Sequence, residues 1–505
     1  MRIVQTFWTG GRFKTSNEGG LTKCQSGLES GEASALADGG HNPLEYGFGW
    51  PHAEYNLMSW ALSCLSLREH YDEVVLYTDS AGKRILIDEL HLPYTDVQVV
   101  FDDFPCLPQH WALAKIKTYS LQTKPFLHVD GDIYVPHPLP EEVLADPLIA
   151  QNREIGTHYY RQMMDRILSC PEILIPEFIQ KAFSEDSIAS YNMGFFGGYD
   201  LEFIHRYCDH AFHFMDENQM NDPTARSSRI DCNVFFEQIF FATLADGEGR
   251  EVASVLNHPM KDAGYTAKEF CDLSRYEQMA FFHLLGGHKG NMSACEMLEK
   301  TLLRLYPEYF RRLIYLFPRR NRRLSGRMGR KPNRPSVQMC LAQYEDYLDE
   351  MANEWKDIPL DSMFSIETER AKFVDFVNAQ EDAREEFLVW PSPYANIFEV
   401  PSWWRKKAVR LLREKLHKEE TFPLQHVVTI PKLLGRGLKE MPVVDFQMKI
   451  LALLQEHEWQ WKDLQTRLLQ EFTLKEESVS GARLLIYNQA LQLMQNGIIL
   501  TKQKQ

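Results

Sequence analysis

The chain has 505 residues, a formal net charge of -15 and 44% hydrophobic residues, values usual for globular protein and sufficient for two domains or more. The acidic balance excludes a generic binder of phosphate backbones, whose affinity rests on clustered Lys and Arg, but leaves room for a nucleotide, which needs only a local positive site. The cysteines form no Cys-x-x-Cys pair and read as reduced thiols of a cytoplasmic protein; no signal peptide and no run of roughly eighteen apolar residues suggests export or a transmembrane segment.

In chain order, Ile3 to Trp8 is a first strand ended by Gly10 and Gly11, and residues 14–50, rich in Gly, Ser and Asn, form a long loop over the mouth of a sheet. Leu57, Trp60, Ala61, Cys64 and Leu65 recur at helical spacing between Ala53 and Glu69. Val74 to Tyr77 is a strand ending at Thr78-Asp79, followed by a helix over Lys83 to Glu89, a strand over Val97 to Phe101 and a helix over Trp111 to Leu121. Strands alternating with helices predict an α/β fold, a mostly parallel sheet with helices on its faces. Neither a Gly-x-Gly-x-x-Gly nor a Walker-type Gly-Lys-Ser/Thr follows a strand, so something else must hold any phosphates.

The next strand, Phe126-Leu-His-Val129, ends in Asp130-Gly131-Asp132. Ligands of open α/β sheets sit outside the carboxyl ends of the strands, and Gly131 lets both acids turn toward one hard cation. Alone, such a triplet also reads as a surface turn with two solvated acids. Three later pieces bear on the choice. Ser190 to Gly198 is a short apolar strand with Asn192 and Gly194; Asp231 to Ala245 is an amphipathic helix with Glu237-Gln238 near its middle; and Phe281 to Gly290 is a strand running into a glycine turn that carries His283, Gly286 and Lys289. Each has a plainer reading, His283 as a core histidine and Glu237 as part of a solvated face. Lys289 is suited to phosphate as a point charge.

Residues 301–317 form an amphipathic helix, and 318–335 are a basic Pro/Gly stretch, read as a solvated connector or a site for an anionic partner. The remainder reads as helical, ending in helices near 444–457, 460–471 and 481–495 stopped by Gly497. That ending resembles a helix-turn-helix or winged-helix core, but its third helix has no basic cluster, so protein or peptide recognition is expected rather than DNA; a structural bundle is the plainer reading. The expected organisation is a catalytic domain over 1–317, a linker over 318–335 and a mainly helical accessory domain over 336–505.

Strand-end Asp130/Asp132, Asn192/Gly194, Glu237/Gln238 and His283/Gly286/Lys289 occur in the order that resembles the glycosyltransferase A fold, closest to the glycogenin-like and related bacterial retaining enzymes. The resemblance implies a metal held by Asp130, Asp132 and His283, with Mn²⁺ favoured over Mg²⁺ by the mixed oxygen and imidazole set. It implies a nucleotide-diphosphate sugar as donor, with Lys289 and the Gly286 turn at the diphosphate and Lys115 on donor phosphate or sugar. Asn192, Gly194 and Gln238 would lie at the donor sugar, with Glu237 a further catalytic candidate, and Thr6, Trp8 and Asp79 where base and ribose bind. The acceptor would be a peptide, a protein or a glycan. The sequence departs from the family's pattern in having Gly290-Asn291 after the lysine, where Pro-Trp is usual, and Glu237 where Asp is usual. A silent binding protein on the same fold and a metal-dependent nucleotidyltransferase or phosphohydrolase are the competing readings.

Overall fold

The computed structural model describes residues 1–10, 41–156, 158–184, 187–256, 270–317, 341–401, 424–434, 437–472 and 478–504. Most of the loop expected over 14–50, and the whole of the basic stretch 318–335, lie outside the described residues. The chain divides into two compact units, Met1–Glu299 and Lys300–Gln505, a boundary earlier than the one drawn from sequence at 317.

In the first unit the strands are β1 (Arg2–Phe7), β2 (Val74–Thr78), β3 (Asp96–Val99), β4 (Phe126–Val129), β5 (Ile133–Tyr134), β6 (Ile149–Ile155), β7 (Ala189–Gly198), β8 (Ala253–Ser254) and β9 (Phe282–His283). Seven of them form one sheet in the order β3-β2-β1-β4-β7-β6-β8. The β3-β2-β1-β4 half is parallel, β7 runs antiparallel to both β4 and β6, and β8 is parallel to β6. The α/β class and the mostly parallel sheet expected from the alternation of elements are present. β2 and β4 are buried along their whole length, as strands covered on both faces must be. The side chains of β2, β4 and β7 alternate between two cores: Val75, Tyr77, Phe126 and Phe196 enter one, and Val74, Leu127, Val129 and Phe195 the other.

The helix Ala53–His70 is buried on all sides from Ala53 to Leu67, where the sequence showed one apolar stripe. Its serines are the reason. Ser59 Oγ donates to the Gly131 carbonyl at 2.8 Å, Ser63 Oγ to the Asp130 carbonyl at 3.4 Å, and Ser66 Oγ accepts from the Val135 amide at 3.1 Å. Three hydroxyls at helical spacing thus clasp the backbone that carries the paired acids, and these buried hydroxyls are themselves paired.

Two expected elements differ. The helical segment bearing Glu237 starts at Asn233, not at Asp231, and runs through Phe235–Ile239 into Phe240–Gly247. The single helix expected over 301–317 is two, Met292–Leu305 and Pro307–Tyr315, because Pro307 has no N–H to continue the first and is preorganised to begin the second.

The second unit is rich in helices, as expected over 336–505. It also contains two three-stranded antiparallel sheets: β10 (Phe387–Pro391), β11 (Asn396–Pro401), β12 (Leu424–Pro431), β13 (Leu438–Val443), β14 (Trp459–Gln460) and β15 (Ile499–Gln503) pair as β14-β10-β15 and β11-β12-β13. Short β-branched runs such as Val427-Val428-Thr429-Ile430 outweigh helix propensity there. The last three helices, Asp445–Glu456, Trp461–Leu469 and Val479–Gln495, stand close to the expected bounds. Gly497 ends the third with φ +71°, its amide and that of Ile498 turning back to Met494 and Leu493.

The junction of β7 with β4 allows a direct test. A Cβ at Gly197 would lie 2.0 Å from the Phe126 carbonyl oxygen, whereas one at Gly247 would meet nothing within 4 Å. Gly197→Ala is expected to cost about 3 kcal/mol or more, since backbone cannot yield as a side chain can, and Gly247→Ala to stay within about 1 kcal/mol; scanning calorimetry of the two variants checks the contrast.

Candidate functional site

β4 delivers Asp130 to the edge of the sheet, and the Asp130 amide donates to the Gly194 carbonyl on β7 at 2.9 Å. The chain turns at Gly131, where a Cβ would stand 2.4 Å from the Trp60 indole, so only glycine lets the turn lie this close to the buried helix. Asp132 follows, then β5. β5 pairs antiparallel with β9 in the register Ile133 to His283, and the Leu284 amide donates to the Asp132 carbonyl at 3.0 Å. This small ladder brings His283 to Asp132: the Nε2 to Oδ1 distance is 3.5 Å. One ligand atom from each of Asp130, Asp132 and His283 falls within 4.8 Å of the others.

The His283 ring is oriented from behind. Its Nδ1 lies 2.7 Å from Gln151 Oε1, so the amide oxygen accepts from Nδ1–H and leaves the Nε2 lone pair toward the acids, the arrangement a metal-binding imidazole requires. Gln151 reaches it through an irregularity in the sheet: Ala150 pairs with Phe196 but Asn152 with Asn192, so β7 carries extra residues opposite Gln151. Gly194 lies in that bulge, and a Cβ there would be 2.5 Å from Gln151 Oε1 and 2.7 Å from His283 Cε1. The expected Asn-x-Gly is therefore a bulge that makes room for the histidine and its partner.

Charges alternate through the site. Lys289 Nζ, on the short helical turn Gly286–Gly290, sits 2.7 Å from Asp132 Oδ2, and Gly286 opens that turn with φ +52°. Lys115 Nζ sits 3.0 Å from Asp130 Oδ1 and 2.5 Å from Glu237 Oε1. Glu237 is wholly buried, not part of a solvated face. Burial pushes the Asp132 carboxyl up, but Lys289 and His283 outweigh it and hold the group well below the usual carboxylate range. Burial raises Asp130, helped by Asp132 and opposed by Lys115, and raises Glu237, opposed by Lys115. For Lys115 burial works downward, yet the two carboxylates win and keep it charged.

Next to Glu237 the network continues. The Tyr160 hydroxyl lies between Gln238 Oε1, at 2.6 Å, and Glu154 Oε2. Asn192 Nδ2 donates to Glu154 Oε1 at 3.3 Å, and Asn192 Oδ1 accepts from the Gly194 amide at 2.9 Å. The structure thus brings Asp130, Asp132, His283, Lys289, Lys115, Asn192, Gly194, Glu237 and Gln238 into one polar network. Sequence reasoning misses Gln151, Glu154 and Tyr160; the signal for the first two is the polar run Gln151-Asn-Arg-Glu154 continuing the buried Ile149-Ala150.

The three remaining candidates have structural work. Asp79 Oδ2 accepts from the Thr9 amide and hydroxyl at 2.8 and 2.7 Å, and its Oδ1 caps the Gly82 amide at 2.7 Å. Thr6 Oγ1 donates to Thr118 Oγ1 at 2.7 Å and faces His128 Nε2 at 3.1 Å, linking β1, the helix Ala112–Ser120 and β4. Trp8 is buried edge-on against Phe104, and its indole N–H meets no acceptor among the described residues.

Residues 1–316 match the model of a family described as a family of unknown function, DUF6734, and the chain belongs to that family. No curated protein matches it. No helix among the described residues is long and apolar enough to cross a membrane.

Replacing Lys115 by Met isolates its role, because it leaves Asp130 and Glu237 buried without their cation. The variant is expected to lose about 3–5 kcal/mol near neutral pH. Both carboxyls already titrate above their ordinary values and rise further without Lys115, so the folded state takes up protons more readily than the unfolded one, and the deficit shrinks as pH falls toward about 5. Denaturant titrations at the two pH values check this.

Proposed function

We propose that the first unit is a metal-dependent glycosyltransferase that moves a sugar from a nucleotide-diphosphate sugar to an acceptor hydroxyl. The observation that carries the reading is the meeting of Asp130 and Asp132, at the carboxyl end of a central strand, with His283, whose free ring nitrogen is turned toward them by Gln151. The reversed β7 inside an otherwise parallel sheet and the order of the motifs support a glycosyltransferase A type of fold.

The donor set of two carboxylates and one neutral imidazole fits a divalent cation, Mn²⁺ more readily than Mg²⁺. Once bound, such an ion neutralises charge on the departing diphosphate. The protein's own groups do the rest. Lys289, released from Asp132, supplies a fixed positive charge on a turn whose glycines let the backbone approach a diphosphate. Asn192 and Gln238, held by Glu154 and Tyr160, present amide donors and acceptors to the hydroxyls of the donor sugar. Lys115 keeps Asp130 in place and balances Glu237. Retention of anomeric configuration is proposed from the likeness of the motif order to the retaining enzymes; Glu237, wholly buried and engaged by Lys115, is not placed to act as the free base that inversion needs.

The second unit, with three final helices and β15 paired to β10 in a winged-helix-like ending, is assigned to recognition of the molecule that bears the acceptor group or of a protein partner, and not to DNA. The cysteines among the described residues are free thiols, which suits a cytoplasmic enzyme.

A thermal-shift panel of nucleoside diphosphates and their sugars, with and without Mn²⁺, tests the reading. Stabilisation should require metal and nucleotide together, about 2.7 kcal/mol at a hundredfold excess over Kd, and should vanish in Asp132→Asn and His283→Ala. Mn²⁺ binding should strengthen with rising pH, because the raised carboxyl of Asp130 must give up its proton to ligate. A panel in which no nucleotide shows a metal-dependent shift overturns the proposal.

A further inference from the structure

Beside the polar network the surface carries two large aromatic side chains that the folding of the first unit leaves outside. Trp111 is 51% exposed and Tyr159 53% exposed. Both belong to the neighbourhood of the buried acids. Trp111 immediately precedes the helix that carries Lys115, and Lys115 Nζ stands 5.8 Å from the centroid of its indole ring, the same Nζ that bridges Asp130 and Glu237. Tyr159 lies in the helix His158–Leu168, which packs against the segment bearing Glu237 and Gln238. Its ring centroid is 5.9 Å from that of Tyr160, whose hydroxyl contacts Gln238, and its phenol feels the charges of Asp231 and Glu237.

A third element joins the two. Asn233 Oδ1 accepts from the Ala112 amide at 3.0 Å, and Asn233 Nδ2 donates to Asp231 Oδ1 at 2.9 Å and to the Gln109 carbonyl at 2.7 Å. Asn233 therefore ties the backbone on both sides of Trp111 to Asp231. Asp231 is exposed; its hydrogen bonds among the described residues fall on Oδ1, so Oδ2 stays open to a ligand. Around Glu237 and Gln238 there are thus two exposed aromatic rings, and Asn233 links the backbone beside one of them to an exposed carboxylate.

We propose that Trp111, Tyr159 and Asp231 form the acceptor subsite and that its occupant is a saccharide. This rests on the glycosyltransferase reading, which requires an acceptor hydroxyl next to Gln238. The chemistry favours a sugar over a peptide. A pyranose offers an apolar C–H face that stacks on an aromatic ring and a rim of hydroxyl donors that a carboxylate accepts. Trp111, Tyr159 and Asp231 all lie outside the strands, so they offer no sheet edge for main-chain pairing with a peptide.

Saturation-transfer NMR on the intact protein with maltose, lactose and cellobiose, and with a Gly/Ser/Thr peptide as the contrasting probe, tests the subsite. At least one disaccharide should receive saturation on its ring C–H protons. Trp111→Ala and Tyr159→Ala should each weaken its titrated affinity about three- to tenfold, while Trp111→Phe and Tyr159→Phe, which keep a ring, should recover most of the loss. Both side chains are half exposed, so the alanine variants should still fold cooperatively, which thermal unfolding measured alongside checks. No saturation of any of the three sugars, affinities untouched by both alanine variants, or Trp111-dependent binding of the peptide instead overturns the proposal. Ring-dependent sugar binding in a protein that shows no metal-dependent nucleotide shift would overturn the transferase reading and leave the saccharide site standing.

Discussion

Everything in the first unit that bears on chemistry depends on the pairing of buried charges of opposite sign. A carboxylate taken out of water without a partner is too costly for a domain whose net stability is a few kcal/mol. Asp132 therefore holds Lys289, and Asp130 and Glu237 share Lys115. These pairs join the end of β4, the glycine turn after β9, the helix Ala112–Ser120 and the helical segment at 235–239. The charged network therefore ties these four segments to one another.

Around that network the backbone gives way at chosen points. Gly131 lets the turn touch Trp60, and Gly194 lets the bulged β7 leave room for Gln151 and the His283 ring. The serines of the helix Ala53–His70 grip the carbonyls of Asp130 and Gly131 from below. Rigid support under a strand end is what a site needs if ligating atoms are to stay in place when like charges are brought together.

The match to a family of unknown function spans the whole first unit and ends just before the basic stretch. The first unit gives that family a concrete centre: paired acids and an oriented imidazole on one side, a run of amide, phenol and carboxylate groups on the other, and exposed aromatic rings beyond. On the proposed transferase reading, that is the order in which a donor diphosphate, its sugar and an acceptor would lie. Second-unit strands that the sequence did not suggest, β10 to β13, separate the early helices from the three at the end and make that unit more than a bundle.

Much of this is legible in the amino-acid sequence alone. Continuous apolar runs and the alternation of strands with helices determined the α/β class, and the Asp130-Gly-Asp132, Asn192-x-Gly194, Glu237-Gln238 and His283-x-x-Gly-x-x-Lys289 pieces named the centre of the site, because local periodicity and glycine placement are properties of neighbouring residues. The roles of Thr6 and Asp79 were less legible, since a hydroxyl or carboxylate at a strand end serves a cap or a cross-link as well as a ligand. Gln151, Glu154, Tyr160 and the serine clasp left almost no local mark. Only the tertiary structure decided that His283 meets Asp132 through the β5–β9 ladder and that Glu237 is buried against Lys115. Those facts rest on pairings between residues more than a hundred positions apart, chosen by the cost of burying charge and of leaving backbone groups unpaired, and no local pattern encodes them.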